Sequence, residues 1–132
     1  MSMGLEEKRF VKMLKDEVVP KYTADLQEMS GAKLTYEPDW PSMENNLVAL
    51  QNLEYQGMDR INSAFRGICG DDLGKEAVKE SIKKIVLMNV DSADKKKISL
   101  SGGTLTIQCA WGADSDGYYV DTDIKTQVEK ML

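Results

Sequence analysis

Residues 85–111 read IVLMNVDSADKKKISLSGGTLTIQCAW, and this stretch decides the fold. Gly102 and Gly103 stand between two segments in which apolar and polar side chains alternate. A Gly-Gly loop tolerates the positive φ angles that a two-residue hairpin turn requires. The stretch therefore predicts a β-hairpin in which Ser101 faces Thr104 across the turn.

Alternation along the hairpin also sets its register, because successive side chains of a strand point to opposite faces. A slip by one residue would move Ile107 from the core into water. The polar face is predicted to carry Ser99, Thr104, Thr106 and Gln108. The apolar, buried face is predicted to carry Ile98, Leu100, Leu105, Ile107 and Cys109.

Two further strands are predicted outside the hairpin. The segment 85–90 is apolar on both faces, which is typical of a more buried strand, and a turn at 91–95 would join it to the hairpin. The segment 33–39 alternates as a strand does, and Pro38 and Pro41 place it at the end or edge of the sheet.

The sequence thus predicts the α+β class, with a small, mainly antiparallel sheet and helices packed on one face. The sheet is expected to have three to four strands, at about residues 33–39, 84–90, 96–101 and 104–111. The whole chain, 1–132, is expected to form a single globular domain.

Elsewhere, apolar residues recur at helical spacing. The first such stripe runs through residues 5–29, where Pro20 predicts a kinked helix or two abutting helices, and Gly31 predicts a helix end. Ser42 is a candidate N-cap for the next helix, and Gly57 is expected to separate that helix from a third. Two more helical stripes follow, one before the central strands and one at the end of the chain.

Composition disfavours several classes of function. Charged residues make up 30% of the chain, hydrophobic residues 42%, and the formal net charge is −5 with no histidine. An acidic chain repels nucleic-acid backbone and anionic lipid. The absence of histidine removes the commonest general base and the commonest metal ligand. We therefore predict no catalytic residue, no cofactor and no metal site.

Two other features favour the cytoplasm. The N-terminal sequence lacks the apolar segment of a secretory signal, and no apolar run approaches the length that spans a bilayer. Cys69 and Cys109 are too few for a disulfide framework, so we interpret them as buried thiols in a reducing compartment. The expected protein is cytoplasmic and makes no contact with a membrane.

The loop after the hairpin resembles part of an EF-hand calcium loop. If Gly117 is the sharp-turn glycine, Asp114 and Asp116 fall at the third and fifth liganding positions. Gly112, however, stands where the first aspartate belongs, and Asp123 where the closing glutamate belongs. A polar turn followed by a helix cap is the better interpretation, and no calcium is expected.

Gly67-Ile68-Cys69-Gly70 lies between two predicted helices, with strands on either side. This layout resembles that of a KH domain, and the resemblance implies a loop that clamps nucleic-acid backbone. The two middle residues are apolar where a phosphate clamp needs Lys or Arg, and Asp71 follows at once. A glycine-capped corner between helices is the simpler interpretation.

The candidate binding residues lie in the loop before the last helix. Tyr118 and Tyr119 stand among aspartates and are expected to be exposed, whereas Trp40 and Trp111 are expected to fill the two ends of the core. Tyrosine supplies contact area at interfaces, and aspartates steer a basic partner toward them. The candidate protein-binding residues are Asp114, Asp116, Tyr118, Tyr119 and Asp121.

Three functional hypotheses follow. The first is a non-catalytic cytosolic protein that binds a basic protein partner, as an adaptor or as an inhibitor of the immunity-protein type. The second is an enzyme or small-ligand-binding domain with a site assembled from distant residues, which converging carboxylates in a pocket would favour. The third is KH-like nucleic-acid binding, which would be favoured if the 67–70 corner met a basic stripe of Lys75, Lys79, Lys83 and Lys84. The oligomeric state stays open.

Overall fold

The computed structural model describes residues 4–132 and confirms the α+β class. The helices are α1 (Leu5–Met13), α2 (Val19–Ser30), α3 (Leu47–Asn52), α4 (Asp59–Ile68), α5 (Asp72–Ser81) and α6 (Asp121–Met131). The strands are β1 (Thr35–Pro38), β2 (Lys84–Asn89), β3 (Lys97–Ser101) and β4 (Thr104–Cys109). Two π-helical segments, Leu14–Val18 and Leu53–Met58, join α1 to α2 and α3 to α4.

The strands form one sheet in the order β1-β2-β4-β3. β1 pairs with β2 in parallel, β2 pairs with β4 in parallel, and β3 pairs with β4 in antiparallel orientation. The sheet is therefore mixed rather than mainly antiparallel, which corrects the prediction in that respect. The predicted hairpin is confirmed: Leu100 lies opposite Leu105, Ile98 lies opposite Ile107, and both turn glycines have positive φ angles of 58° and 83°.

The mixed sheet arises because β4 lies between β2 and β3. The connection 90–96 crosses the end of β4, so β3 pairs on the far side of that strand. An apolar alternation looks the same whether a strand pairs in parallel or antiparallel, because the side-chain period is two in both cases. The sequence pattern therefore specifies the buried face of β4 but not the direction of its second neighbour.

Helices cover one face of the sheet and leave the other face open. Val86 and Met88 of β2 lie on the open face and are half-buried. The apolar run of β2 therefore reflects its central position in the sheet rather than burial on both sides. The covered face carries the buried side chains Tyr36, Ile85, Leu87, Ile98, Leu105, Ile107 and Cys109, with Leu100 half-buried at its margin.

The chain from Leu5 to Ser30 is helical throughout. Pro20 lies in the first turn of α2, directly after the π-helical segment Leu14–Val18. Proline lacks a backbone donor and its ring crowds the preceding turn, and the wider π turn accommodates both effects. Gly31 ends α2 with a φ of 69°, as predicted.

Two predicted helix boundaries are wrong. Asn46 rather than Ser42 caps α3, and its Oδ1 accepts a hydrogen bond from a first-turn backbone N–H at 3.0 Å. Gly57 does not end a helix but lies within the π-helical segment Leu53–Met58. A Cβ at Gly57 would lie 3.3 Å from Nε1 of Trp111, so this glycine makes room for a buried ring.

A buried asparagine joins three elements of the core. Asn62 of α4 accepts a hydrogen bond from the Tyr36 hydroxyl of β1. The Asn62 amide donates to the carbonyl oxygen of Tyr22 at 3.1 Å and to Oδ2 of Asp25 at 3.1 Å, both in α2. Because a buried polar group without a partner is costly, these bonds fix β1 relative to α2 and α4.

Ile107 is a test of the hairpin register, because its side chain is buried at the centre of the covered face. We expect Ile107→Ala to lower the free energy of unfolding by ~2–5 kcal/mol, the usual result of emptying a buried aliphatic site. Thr106→Ala, on the open face of the same strand, should cost no more than about 1 kcal/mol. Urea unfolding measures both, and equal losses for the two variants would contradict the register.

Alkaline pH should destabilise the fold. Burial raises the pKa of the Cys109 thiol to about 12 and raises the pKa of the Tyr36 phenol, because each group is charged only after it loses its proton. A raised pKa in the folded state stabilises the fold below the unfolded-state pKa, and this stabilisation is lost as pH rises toward the folded-state value. We expect the free energy of unfolding to fall above about pH 9, with Cys109 contributing on the order of 1–2 kcal/mol of that loss at about pH 10.

Cys109→Ala is the matched variant for this prediction. Whatever the substitution costs at neutral pH, the free energy of unfolding of the variant should fall less steeply between about pH 8 and pH 10, because one titrating group has been removed. Urea unfolding at several pH values measures the slope. Parallel curves for the variant and its parent would refute the assigned role of the thiol.

Candidate functional site

Three parallel strands end at one edge of the sheet, which we call the carboxyl edge. β1, β2 and β4 run in the same direction, so the chain leaves the sheet at this edge after Pro38, Asn89 and Cys109. The predicted binding loop follows β4 and therefore lies here. Ligands of open sheets with parallel strands bind at the carboxyl ends of those strands. The carboxyl edge is therefore the candidate location of a binding site.

Trp111 anchors the loop to the core. Its side chain is fully buried, and its Nε1 lies 3.4 Å from the carbonyl oxygen of Gln56. Its backbone N–H donates to Oδ1 of Asn89 at 3.0 Å, and its carbonyl oxygen accepts from Nδ2 of Asn52 at 2.7 Å. Trp40 follows β1 at the same edge and is half-buried. The prediction of a core tryptophan is therefore confirmed for Trp111, whereas Trp40 is only half-buried and the two do not fill different ends of the core.

A cleft of about 550 Å³ opens at the carboxyl edge. Two of its lining residues are joined by a hydrogen bond, in which the backbone N–H of Asn89 donates to Oγ of Ser42 at 3.0 Å. Asp91 forms an exposed ion pair with Lys95 at 2.8 Å. One ion-paired carboxylate is not the converging set that acid–base chemistry would require. The other lining residues are Pro41, Asn45, Asn46 and Val90.

Residues 112–121, which we call the acidic loop, have a backbone fixed by hydrogen bonds. The Ala110 N–H donates to the carbonyl oxygen of Gly117 at 2.7 Å, and the Gly117 N–H donates to the carbonyl oxygen of Asp114 at 2.9 Å. Oδ1 of Asp114 accepts from the Asp116 N–H at 3.3 Å. A Cβ at Gly117 would lie 2.3 Å from the Ala110 carbonyl oxygen, so a glycine is needed for this close approach.

Tyr118 and Tyr119 are half-buried rather than fully exposed, and both pack against the margin of the core. The Arg60 guanidinium lies 5.3 Å from the centroid of the Tyr118 ring. The Lys96 ammonium lies 4.8 Å from the centroid of the Tyr119 ring. Contacts between a cation and an aromatic face are attractive, so each ring is held in one position while part of it stays accessible.

The three predicted aspartates of the loop have different surroundings. Asp114 and Asp116 are exposed, and neither forms an ion pair with any residue in the described range 4–132. Asp121 is half-buried and accepts hydrogen bonds from Oγ of Ser63 at 2.8 Å and from the N–H of Thr122 at 2.9 Å. Asp121 therefore ties α6 to α4, whereas Asp114 and Asp116 are available to a partner.

The glycine corner at 67–70 does not have the character of a phosphate clamp. Its two middle side chains are buried, and Asp71 is engaged as the N-cap of α5, accepting from the Gly74 N–H at 2.8 Å. The predicted basic stripe does not form along this corner. Lys75, Lys79 and Lys83 line cavities beside Gly31, and Lys84 forms an ion pair with Glu37 at 3.2 Å.

Two further features that could support catalysis are a reactive thiol and a bound metal ion. Cys69 and Cys109 are free and buried, and burial raises the pKa of each thiol, which disfavours the nucleophilic thiolate. In the part of the chain that the structure describes, no three side chains of His, Cys, Asp or Glu come together as a metal site. Nor does any helix between residues 4 and 132 have the length and apolarity needed to cross a bilayer.

No family model, curated protein or solved structure matches the chain. The acidic loop and the neighbouring cleft at the carboxyl edge together form the candidate site.

Calcium should have no effect on the acidic loop. Gly112 offers no side-chain ligand at the first EF-hand position, and the loop follows the strand β4 rather than a helix. Melting temperatures in about 1 mM calcium and in excess chelator should agree within about 1 °C, because a ligand stabilises only a fold that it binds. A rise in melting temperature with calcium, abolished by Asp116→Ala, would show that the loop does hold the ion.

Proposed function

We propose that this chain is a non-catalytic, cytoplasmic protein-binding module that engages a basic protein partner through the acidic loop. The observation that carries the proposal is the pair of exposed, unpaired carboxylates of Asp114 and Asp116 beside two accessible tyrosine rings on a fixed backbone. An adaptor and an inhibitor of a basic protein would both use such a surface.

The fixed backbone supports the proposal on energetic grounds. Ordering a flexible loop at an interface costs free energy that a preorganised loop does not lose. The hydrogen bonds between Ala110, Gly117 and Asp114 already hold the acidic loop in one conformation. The carboxylates and tyrosine rings of the acidic loop would therefore need no reordering when a partner binds.

The chemistry of the loop supports a basic partner. Unpaired carboxylates accelerate encounter with positive surfaces, and amphipathic tyrosine rings add contact area. Val120 extends the apolar part of the surface, since its side chain is 45% exposed. The adjoining cleft, with its amide and hydroxyl lining, offers a place for a polar side chain of the partner.

An enzymatic alternative has less support. The cleft at the carboxyl edge contains amide groups and one ion pair, Asp91 with Lys95, rather than a general base beside a nucleophile. Both thiols lie in the core. The geometry therefore favours recognition over chemistry.

The two tyrosines provide the test. We expect the double substitution Tyr118→Ala with Tyr119→Ala to weaken capture of the partner at least about tenfold, because aromatic anchors carry a large share of interface energy. Tagged protein is incubated with extract from its native cell at about 50 mM and about 300 mM salt, and captured proteins are identified by mass spectrometry. Higher salt should reduce capture by the parent protein, since exposed charges are screened.

Tyr55→Ala is the matched control, because this ring is 66% exposed and lies outside the acidic loop. It should leave capture unchanged. Circular dichroism and melting temperature establish that each variant is folded before capture is compared. Undiminished capture by a folded double variant would exclude the loop from the interface, and loss of capture by the Tyr55 control would point to a different surface.

A further inference from the structure

A basic groove lies at the amino ends of the parallel strands, on the edge of the sheet opposite the acidic loop. Lys33 precedes β1 and Lys83 precedes β2, and with Lys79 of α5 they surround a cavity of about 420 Å³. A second cavity, of about 390 Å³, is lined by Lys75 and Lys79 together with the carboxylates Asp72 and Glu76. Both cavities include Gly31 and Lys79 in their walls, so they lie side by side, and we call the two together the lysine groove.

The four lysines of this groove are exposed, and among the described residues none of them forms an ion pair. Such a concentration is unexpected on a chain with a net charge of −5. Elsewhere on the same chain, basic side chains do find acidic partners, as Lys84 does with Glu37 at 3.2 Å. Asp72 and Glu76 offset the charge around Lys75, so the excess positive charge is concentrated at Lys33, Lys79 and Lys83. Like charges that converge repel one another, so this part of the groove is suited to an anionic ligand.

Local helix electrostatics explain part of the arrangement but not all of it. Lys79 lies near the C-terminal end of α5, where positive charge is favourable, and the Lys83 ammonium donates to the Lys79 carbonyl oxygen at 3.2 Å. Lys33, in contrast, comes from the connection between α2 and β1 and has no part in that helix. Lys33 lies across the groove from α5, so its positive charge cannot be explained as a helix cap. It adds a second basic wall to the groove.

We propose that the lysine groove binds a short, extended acidic segment of a protein partner. Lys75 and Lys79 are one helical turn apart, which corresponds to a rise of about 6 Å. Alternate side chains of an extended chain repeat at about 6.6–6.8 Å along one face. Glutamates or aspartates at every second position of an extended segment therefore match the spacing of the lysines, with Lys33 and Lys83 beyond them.

A phosphate ligand fits this groove less well. Phosphate sites use free backbone N–H groups, but the backbone donors of Gly31, Ala32 and Lys83 in this groove are already engaged. The Gly31 N–H donates to the Gln27 carbonyl oxygen at 2.9 Å, and the Ala32 N–H donates to Oγ of Ser30 at 3.1 Å. The Lys83 N–H donates to the carbonyl oxygen of Gly103 at 2.7 Å.

A nucleic acid also fits less well. Asp72 and Glu76 lie at one end of the groove and interrupt its positive potential. A nucleic-acid backbone carries a charge on every nucleotide and would be repelled there. A peptide can place a neutral or basic residue at that point, so a short acidic peptide is the occupant that the charges favour.

The proposal is tested with a fluorescent peptide in which glutamate alternates with serine over about seven residues, by fluorescence anisotropy at about 0.15 M salt. The groove variant combines Lys33→Gln, Lys79→Gln and Lys83→Gln. The matched control combines Lys8→Gln, Lys97→Gln and Lys130→Gln, which removes the same charge from exposed positions on α1, β3 and α6. We expect the parent to bind, the groove variant to bind about tenfold more weakly, and the control to change by less than about twofold.

Several results would overturn the proposal. Equal weakening in the two variants would mean that only overall charge attracts the peptide, and no binding by the folded parent would mean that the groove is not a peptide site. Tighter binding of tripolyphosphate or of a single-stranded oligonucleotide than of the peptide, lost in the groove variant, would reassign the site to phosphate. Self-association abolished by Asp114→Asn with Asp116→Asn would assign the groove to a second copy of the chain. The self-association result would also show that the acidic loop itself occupies the groove of a second copy. The other results do not bear on the acidic loop, because the two surfaces lie at opposite edges of the sheet.

Discussion

The position of β4 between two neighbouring strands is the constraint on which the structure depends. β4 pairs in parallel with β2 and antiparallel with β3, and its buried residues Leu105 and Ile107 lie at the middle of the covered face. A strand in that position cannot shift without breaking two ladders and exposing its apolar side chains. The end of β4 is therefore held in one position, and this position fixes where the acidic loop begins.

Trp111, two residues after β4, connects this strand to the helices. Its ring fills space left by Gly57 in the π-helical segment, and its backbone bonds reach Asn89 at the end of β2 and Asn52 at the end of α3. The widened π turn and the tryptophan form one packing unit. The irregular helix is thus explained by what lies against it, and the carboxyl edge is held by the core rather than by the loop itself.

Sequence reasoning succeeded where the determinants are local. The Gly102-Gly103 turn fixes the hairpin, because the two glycines and the alternation beside them act within a few residues. It failed where partners are distant. Local sequence patterns do not predict the pairing of β2 with β4, nor the hydrogen bonds by which Asn62 joins α4 to β1 and α2. Each of these features depends on residues that only the complete fold brings together. For the candidate site, the sequence pattern led to the hypothesis of a binding loop but could not separate Asp121, which is used structurally, from Asp114 and Asp116.

The strand order also bears on how the chain reaches this structure. The two strands of the hairpin are adjacent in sequence, whereas β1 pairs with β2 only after the intervening helices have been placed, as in the pairing of Thr35 with Lys84. Closing a long loop costs more entropy and slows folding. We therefore expect the hairpin to form early and β1 to dock late. The edge that contains Lys33 would then be the part of the sheet that opens first in native-state fluctuations.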